Sequence, residues 1–466
     1  MITRLYLDGF KTFRDFTIEF APFTVIAGTN ASGKSNLFDA LNLLSRLAET
    51  DLRTAFSQQR GEAVELFTRY GPDQVATRMH FEVEMLIDRT LKDNWGGSAD
   101  LKYTRFRYEL TIEREVNAKG MDDLKVVHEQ LTNLKHQEDP WVKKHLPNAH
   151  IERWRPKVSK GKRGKPYITT EVVNGVVTIK LPQDGKAGGR ETPANVVSQT
   201  VLSGITSVDF PHAFAAKEEM RSWRFLQLNP EDLRRPSPYL DPDTISPSGA
   251  HLAAALQRIT EQDPYLLKRI SRRLNALIPS ITQVSVLNDP VGKQYLVQMQ
   301  GADQRLFSSR VMSEGTLRLL VLCTMLYDDQ HRGLICFEEP ENGVHPLRLR
   351  EMIDLLLDLS VDFTDESDQL RQVIVNTHSP VLLAAMGKLN SQSRRTLVWF
   401  SQLVTQTFTD EAGQRQVQFQ ATRMLPVDLA DQLTIEVTEQ ENKIARSKAI
   451  DYLNTVSEAS NWPEAT

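Results

Sequence analysis

The chain has 466 residues, 40% of them hydrophobic and 25% charged, with a formal net charge of −4. A length of this order divides between two or three lobes, and 56 basic against 60 acidic residues exclude a global nucleic-acid footprint, so any basic binding surface is local. The two cysteines, Cys323 and Cys336, lie in apolar runs without a metal-ligand cluster and read as core residues of a reducing compartment. The opening MITRLYLDGFKTF has no apolar stretch before a cleavage site, and no segment approaches the ~18 uncharged apolar residues of a membrane span. A cytoplasmic protein without membrane contact is expected.

Three short runs, Thr3 to Leu7, Phe16 to Phe20 and Phe23 to Ala27, are rich in aromatic and β-branched residues and predict strands. The third runs into a glycine loop. From Ser35, Leu37, Ala40, Leu41, Leu44 and Leu47 recur at helical spacing. Met79 to Ile87 and Thr104 to Glu113 predict further strands of an antiparallel sheet. Between about 118 and 245 periodicity weakens while lysine, proline and glycine accumulate, which suggests an inserted arm or lid. Its clearest feature is the hairpin signal Asn174-Gly175 between Thr169–Val173 and Val176–Leu181. A helical run covers His251 to Leu277, then strands are expected near Val284–Leu287 and Tyr295–Gln300. The second half alternates: helix Ser313–Leu326, strand Leu334–Phe337, helix Leu347–Leu359 and strand Gln372–Asn376, the pattern of a parallel sheet with crossover helices. Two more strands follow residue 397, then a polar helical tail from about Leu429 to Leu453. The expected division is 1–117 and 246–425 for an α/β head of mixed and parallel sheets flanked by helices, 118–245 for the arm and 426–466 for the tail.

Gly28-Thr29-Asn30-Ala31-Ser32-Gly33-Lys34-Ser35 fits G-x-x-x-x-G-K-[ST] between a predicted strand and a predicted helix. In such a loop successive backbone N–H groups face phosphates and the helix N-terminus adds its positive end. Lys34 is then placed for the β/γ-phosphates of ATP and Ser35 for Mg²⁺. In Leu334-Ile335-Cys336-Phe337-Glu338-Glu339-Pro340 a buried strand delivers two acids to the carboxyl edge of the sheet. Glu338 suits the Mg²⁺ hydration shell, and Glu339 suits orienting or deprotonating the attacking water. The strand Gln372–Asn376 leads to His378, whose neutral imidazole can meet the γ-phosphate or that water. Ser313-Glu314-Gly315-Thr316 opens an apolar helix as an N-cap, and also makes a second phosphate cradle. Because the chain already has one loop of that kind, the second cradle suits another subunit's nucleotide.

These motifs, with Asn30 and Asn36 in the first loop, then SEGT, FEEPENGVHP and NTHSP, stand in the order found in ABC/SMC/RecF-type ATPases. They most resemble the stand-alone AAA-family ATPases related to OLD proteins, common in bacterial defence and toxin-antitoxin-like operons. The resemblance covers roughly 1–115 and 246–400, and the stretch from Trp223 through Asn229-Pro230 and Pro236-Ser237 to Leu252 also looks like those proteins. It implies that Ser313 and Gly315 are the trans-acting signature of a homodimer, Glu339 the catalytic glutamate and His378 the switch histidine. Glu341, Asn342, Gly343 and His345 would form the turn facing the partner. Two departures stand out: Glu338 replaces the aspartate of many ABC-type proteins, and no Q-loop glutamine is assignable between the first helix and the arm. About sixty-five residues follow Trp399 without a paired D-x-D, so the TOPRIM nuclease of OLD proteins is not expected.

Lys143 to Lys165 carries nine Lys/Arg against one acid, Glu152, with Trp154 and Tyr167 nearby. Such a segment can neutralise DNA or RNA phosphates while aromatics stack on bases, or can be a solvated loop. The expected function is an ATP-binding and ATP-hydrolysing switch that dimerises around nucleotide and controls a separate effector, a nuclease or toxin, in prokaryotic anti-phage defence. The alternative is a RecF-like DNA-binding ATPase of repair or recombination, and a third reading is a nucleotide-gated scaffold.

Overall fold

The computed structural model describes residues 1–93, 96–117, 120, 122–156, 166–182, 189–194, 198–386, 395–409, 416–428 and 434–435. The first half contains β1 (Ile2–Asp8), β2 (Phe16–Glu19), β3 (Phe23–Gly28), α1 (Lys34–Leu47), β4 (Arg78–Leu86), β5 (Arg105–Val116), β6 (Asp122–Asn133), β7 (Thr169–Val173), β8 (Val176–Pro182), β9 (Gly189–Pro193), α2 (Pro211–Arg221) and β10 (Arg224–Leu226). The second contains α3 (Leu252–Gln262), α4 (Pro264–Leu277), β11 (Ile281–Asp289), β12 (Gln294–Gly301), α5 (Glu314–Tyr327), β13 (Gly333–Glu338), α6 (Leu349–Asp358), β14 (Arg371–Thr377), α7 (Pro380–Met386), β15 (Thr396–Thr409), β16 (Gln416–Asp428) and β17 (Thr434–Ile435).

The fold is α/β, with two principal sheets. One is antiparallel in the order β6-β5-β4-β1-β2, the other seven-stranded in the order β10-β13-β14-β3-β15-β16-β17. In the second sheet the pairs from β10 to β15 are parallel, and the last two are antiparallel. Its centre is mostly apolar because both faces are covered: β3 is buried at every position, and β13 and β14 at all but one each. One large apolar cluster joins α1 to the antiparallel sheet, and another lies among α3, α5, α6 and the parallel strands. The fully buried Gln372 stitches the sheets together. Its Oε1 accepts from Ile2 N–H at 2.9 Å, and its Nε2 donates to Ile2 O at 2.8 Å and Ala21 O at 2.9 Å.

Several sequence expectations meet differences here. Residues 118–245, expected as an arm, contribute at both ends to the principal sheets, through β6 and β10. The hairpin forms as expected, with Asn174 at φ 52° and Gly175 at φ 80°, and continues into a three-stranded sheet with β9. The helical run 251–277 breaks in two at Asp263, whose side chain caps α4 by accepting from Tyr265 N–H just before Pro264 fills the first turn. The expected helical tail lies outside the described residues except Thr434–Ile435, which are strand.

Candidate nucleotide site

Three adjacent parallel strands, β13, β14 and β3, end together, so Glu338, Thr377 and Gly28 share the carboxyl edge of the sheet. That edge is where ligands sit in open α/β sheets. The loop 28–34 leaves β3 and enters α1 through Gly33, at φ +93°, where a Cβ would also lie 1.9 Å from Thr422 Oγ1. Gly28 has backbone against it too, since its Cβ would meet Ser401 O at 2.4 Å. Ser401 Oγ donates to Ser32 O at 2.9 Å, so the C-terminal hairpin β15-β16 braces the loop from outside. Asn36 Nδ2 donates to Thr12 Oγ1 at 2.9 Å, and Thr12 and Thr422 share a hydroxyl pair at 2.7 Å, which ties α1 to both sheets. These braces carry no motif of their own, and a single sequence offers no signal for Thr12, Ser401 or Thr422.

Lys34 is buried and folds back onto its own loop, with Nζ donating to Gly28 O and Thr29 O at 2.8 Å each. Burial pulls its ammonium down to about 8, partly countered by the carboxylates of Glu339 and Glu341. Thr29, Asn30, Ala31 and Ser35 are exposed at the loop's rim. Ser32 is buried, and its Oγ has no hydrogen-bond partner among the described residues.

The acidic side of the site stands opposite. Glu338 ends β13 half-buried, and burial raises its pKa, with Arg60 acting against that rise. Among the described residues no hydrogen bond engages its carboxylate. Glu339 follows at φ 46°, a left-handed conformation costing about 1 to 2 kcal/mol for a side-chain-bearing residue. Its N–H donates to Asn376 O at 2.8 Å, which holds the turn. Both Glu339 oxygens are engaged, Oε1 with His378 Nδ1 and Oε2 with Asn342 Nδ2, each at 2.8 Å. The next acid, Glu341, does not point outward. Thr377 Oγ1 donates to its Oε1, its Oε2 is buried without a partner, and burial raises its pKa. Asn376 Nδ2 reaches Ser35 Oγ at 3.4 Å, linking the acidic side to the loop. Glu341 and Asn376 lay inside motifs the sequence marked, but only the fold shows that their side chains turn into the site.

Ser313 and Gly315 stand at the start of α5. Ser313 caps α5, its Oγ accepting from Thr316 N–H at 3.2 Å. Gly315 packs so closely on the turn after β13 that a Cβ would lie 2.3 Å from Gly343 O. Among the described residues no hydrogen bond joins either of them to residues 28–36. Beside Glu338 a cavity of about 440 Å³ is lined by Gln58, Gln59, Arg60 and Gln227, so glutamines do border this edge although the sequence marked none.

The basic segment is largely engaged where it is described. Lys144 pairs with Glu19 at 2.7 Å, Arg155 with Asp139 at 2.8 Å, and Arg153 donates to Glu366 O at 3.2 Å. Its expected stacking aromatics are interior: Trp154 is 3% exposed and hydrogen-bonded to Phe363 O, and Tyr167 is 9% exposed and stacked on His212. Residues 157–165, including Lys160, Lys162, Arg163 and Lys165, lie outside the described residues.

A glycine loop closed on a buried lysine, beside two strand-end carboxylates and a histidine, is the arrangement of a P-loop nucleotide site. Residues 4–155 match a protein-family model described as "AAA domain". Residues 198–384 match a model described as "AAA domain, putative AbiEii toxin, Type IV TA system". Two AAA-domain models thus cover 4–155 and 198–384, and together with the Lys34 loop they support a P-loop ATPase, with ATP binding and hydrolysis at the level of those families. No curated protein matches the sequence. Among solved structures, the chain is similar to an SMC head bound to the C-winged helix domain of ScpA, at 14% identity over 91% of this chain and 98% of that one, with a TM-score of 0.46. It is also similar to the SMC head domain from Thermotoga maritima, at 14% identity over 91% and 98%, with a TM-score of 0.35. A Pyrococcus furiosus Smc head with an extended coiled coil, bound to the C-terminal domain of ScpA, matches at 12% identity over 98% and 99%, with a TM-score of 0.40. Among the described residues no helix is long and apolar enough to cross a membrane.

Proposed function

We propose that the chain is a Mg²⁺-dependent ATP-hydrolysing switch that closes as a homodimer around nucleotide and controls a separate effector, a nuclease or toxin, in prokaryotic anti-phage defence. The observation that carries this reading is the shared strand edge, where the Lys34 loop, Glu338, Glu339 and His378 stand together. Residues 198–384 match a family described by a putative toxin of a toxin–antitoxin system, which supports a place in such a system.

Lys34 exchanges its two loop carbonyls for the β/γ-phosphate oxygens, while the backbone of Asn30 to Ser35 cradles the phosphates. The donor set suits a hard cation: Ser35 Oγ is exposed at the rim, and the Glu338 carboxylate is free of hydrogen bonds among the described residues. Bound Mg²⁺ supplies neutralisation of charge developing on the phosphate oxygens. Glu339 orients or deprotonates the attacking water, and His378, already on Glu339 Oε1, reports the γ-phosphate to that carboxylate. Ser313 and Gly315 complete the partner's site; among the described residues neither is hydrogen-bonded to residues 28–36 of its own chain.

Replacing Glu339 by Gln keeps the shape and removes the base. Hydrolysis measured by phosphate release should slow by at least ~100-fold while ATP still binds. A variant that hydrolyses like the wild type would assign the base to another residue.

A further inference from the structure

Asn376 occupies a central place at the strand edge. It sits at the end of β14 between β13 and β3, paired in register with Glu338 on one side and Ile26 on the other. Its backbone oxygen fixes the Glu339 turn, so its main chain is already employed. The side chain is 3% exposed, its Nδ2 lies 3.4 Å from Ser35 Oγ, and its Oδ1 is buried without a hydrogen-bond donor among the described residues. A buried amide oxygen with no donor is costly and calls for an explanation.

Resting on the nucleotide-site reading above, we infer that Asn376 is a positioning residue for the divalent cation. Its Nδ2 holds the Ser35 hydroxyl so that an oxygen lone pair is free for the metal, and its Oδ1 accepts from the cation's hydration shell. Small divalent cations keep several waters, and those waters donate outward to fixed acceptors. Ser35 Oγ, the Glu338 carboxylate and Asn376 Oδ1 form an all-oxygen set of the kind Mg²⁺ and Mn²⁺ prefer. An amide suits this place better than a third carboxylate, because it accepts a hydrogen bond without adding negative charge beside Glu338 and Glu341.

The test separates metal from nucleotide. In Asn376→Val, which removes both amide groups while keeping strand propensity, Mn²⁺ is titrated into the full-length protein loaded with AMP-PNP and followed by electron paramagnetic resonance. Its dissociation constant should rise by about 10- to 100-fold relative to wild type, while AMP-PNP affinity in EDTA stays unchanged. Asn376→Ser is measured alongside, and decides the matter if the valine variant fails to fold. Unchanged Mn²⁺ affinity in a folded variant overturns the inference. So does a loss of AMP-PNP affinity in EDTA as large as the loss for Mn²⁺, since Asn376 would then merely support the loop. If wild-type protein bound no AMP-PNP, the nucleotide reading itself would fall, and this inference with it.

Discussion

Lys34 is the residue whose protonation the site most directly controls. Burial lowers its pKa from 10.5 to about 8, so between those values the unfolded chain carries a proton that the folded protein has lost. The sign is therefore that stability contributed through this group rises with pH across that window. Phosphate reverses the situation locally, because an anion beside the ammonium favours the charged form. ATP binding near pH 8.5 should thus take up part of a proton, seen by calorimetry in buffers of different ionisation enthalpy. Lys34→Arg, which stays charged, should bind without that uptake. Equal uptake in both proteins would place the proton on another group. The motif around Lys34 was evident in the sequence because spacing alone defines it. The roles of Glu341 and Asn376 were not, because whether a side chain turns inward depends on strand register and on the left-handed backbone of Glu339.

At the scale of elements, apolar runs marked β3, β13 and β14 well, since strands covered on both faces need near-continuous apolar sequence. β6 escaped because polar residues dominate it. Its buried Glu129 accepts from the amides of Val201 and Leu202 at 2.6 and 2.9 Å, and the tertiary structure thus satisfies a carboxyl that a local reading counts as surface. α2 escaped for a similar reason, its buried Lys217 donating to Ser203 O and Ile205 O at 2.7 Å each. The contact of α5 with the turn after β13 is more exacting. A methyl at position 315 would meet the backbone oxygen of Gly343 at 2.3 Å, and backbone cannot swing aside as a flexible side chain can. Gly315→Ala should therefore destabilise the protein by about 1 to 3 kcal/mol, measured by denaturant unfolding. Wild-type stability would mean that the turn relaxes freely.

Across the whole molecule, one P-loop and one separate serine-glycine helix start raise the question of which chain completes which site. Within a chain, Gly315 is locked to the turn carrying Glu339 through Gly343, yet neither it nor Ser313 is hydrogen-bonded to residues 28–36 among the described residues. Mixing a Lys34→Ala subunit with a Ser313→Arg subunit cannot decide between the two arrangements. In trans, one composite site has the broken loop and the other the broken signature; in cis, each chain carries its own defect. Either way no intact site remains. The informative partner is the double variant Lys34→Ala/Ser313→Arg, mixed in rising proportion with wild type after subunit exchange is verified by native mass spectrometry. A wild-type chain paired with it keeps both of its own elements, so a cis site loses nothing. A trans site opposite the double variant always lacks either its loop or its signature. Activity per wild-type subunit should then fall to about one half at equal mixing, when random pairing sets half of the wild-type chains against a variant. Constant activity per wild-type subunit, with heterodimers demonstrated, would rule the shared site out and return Ser313 to its role as the cap of α5.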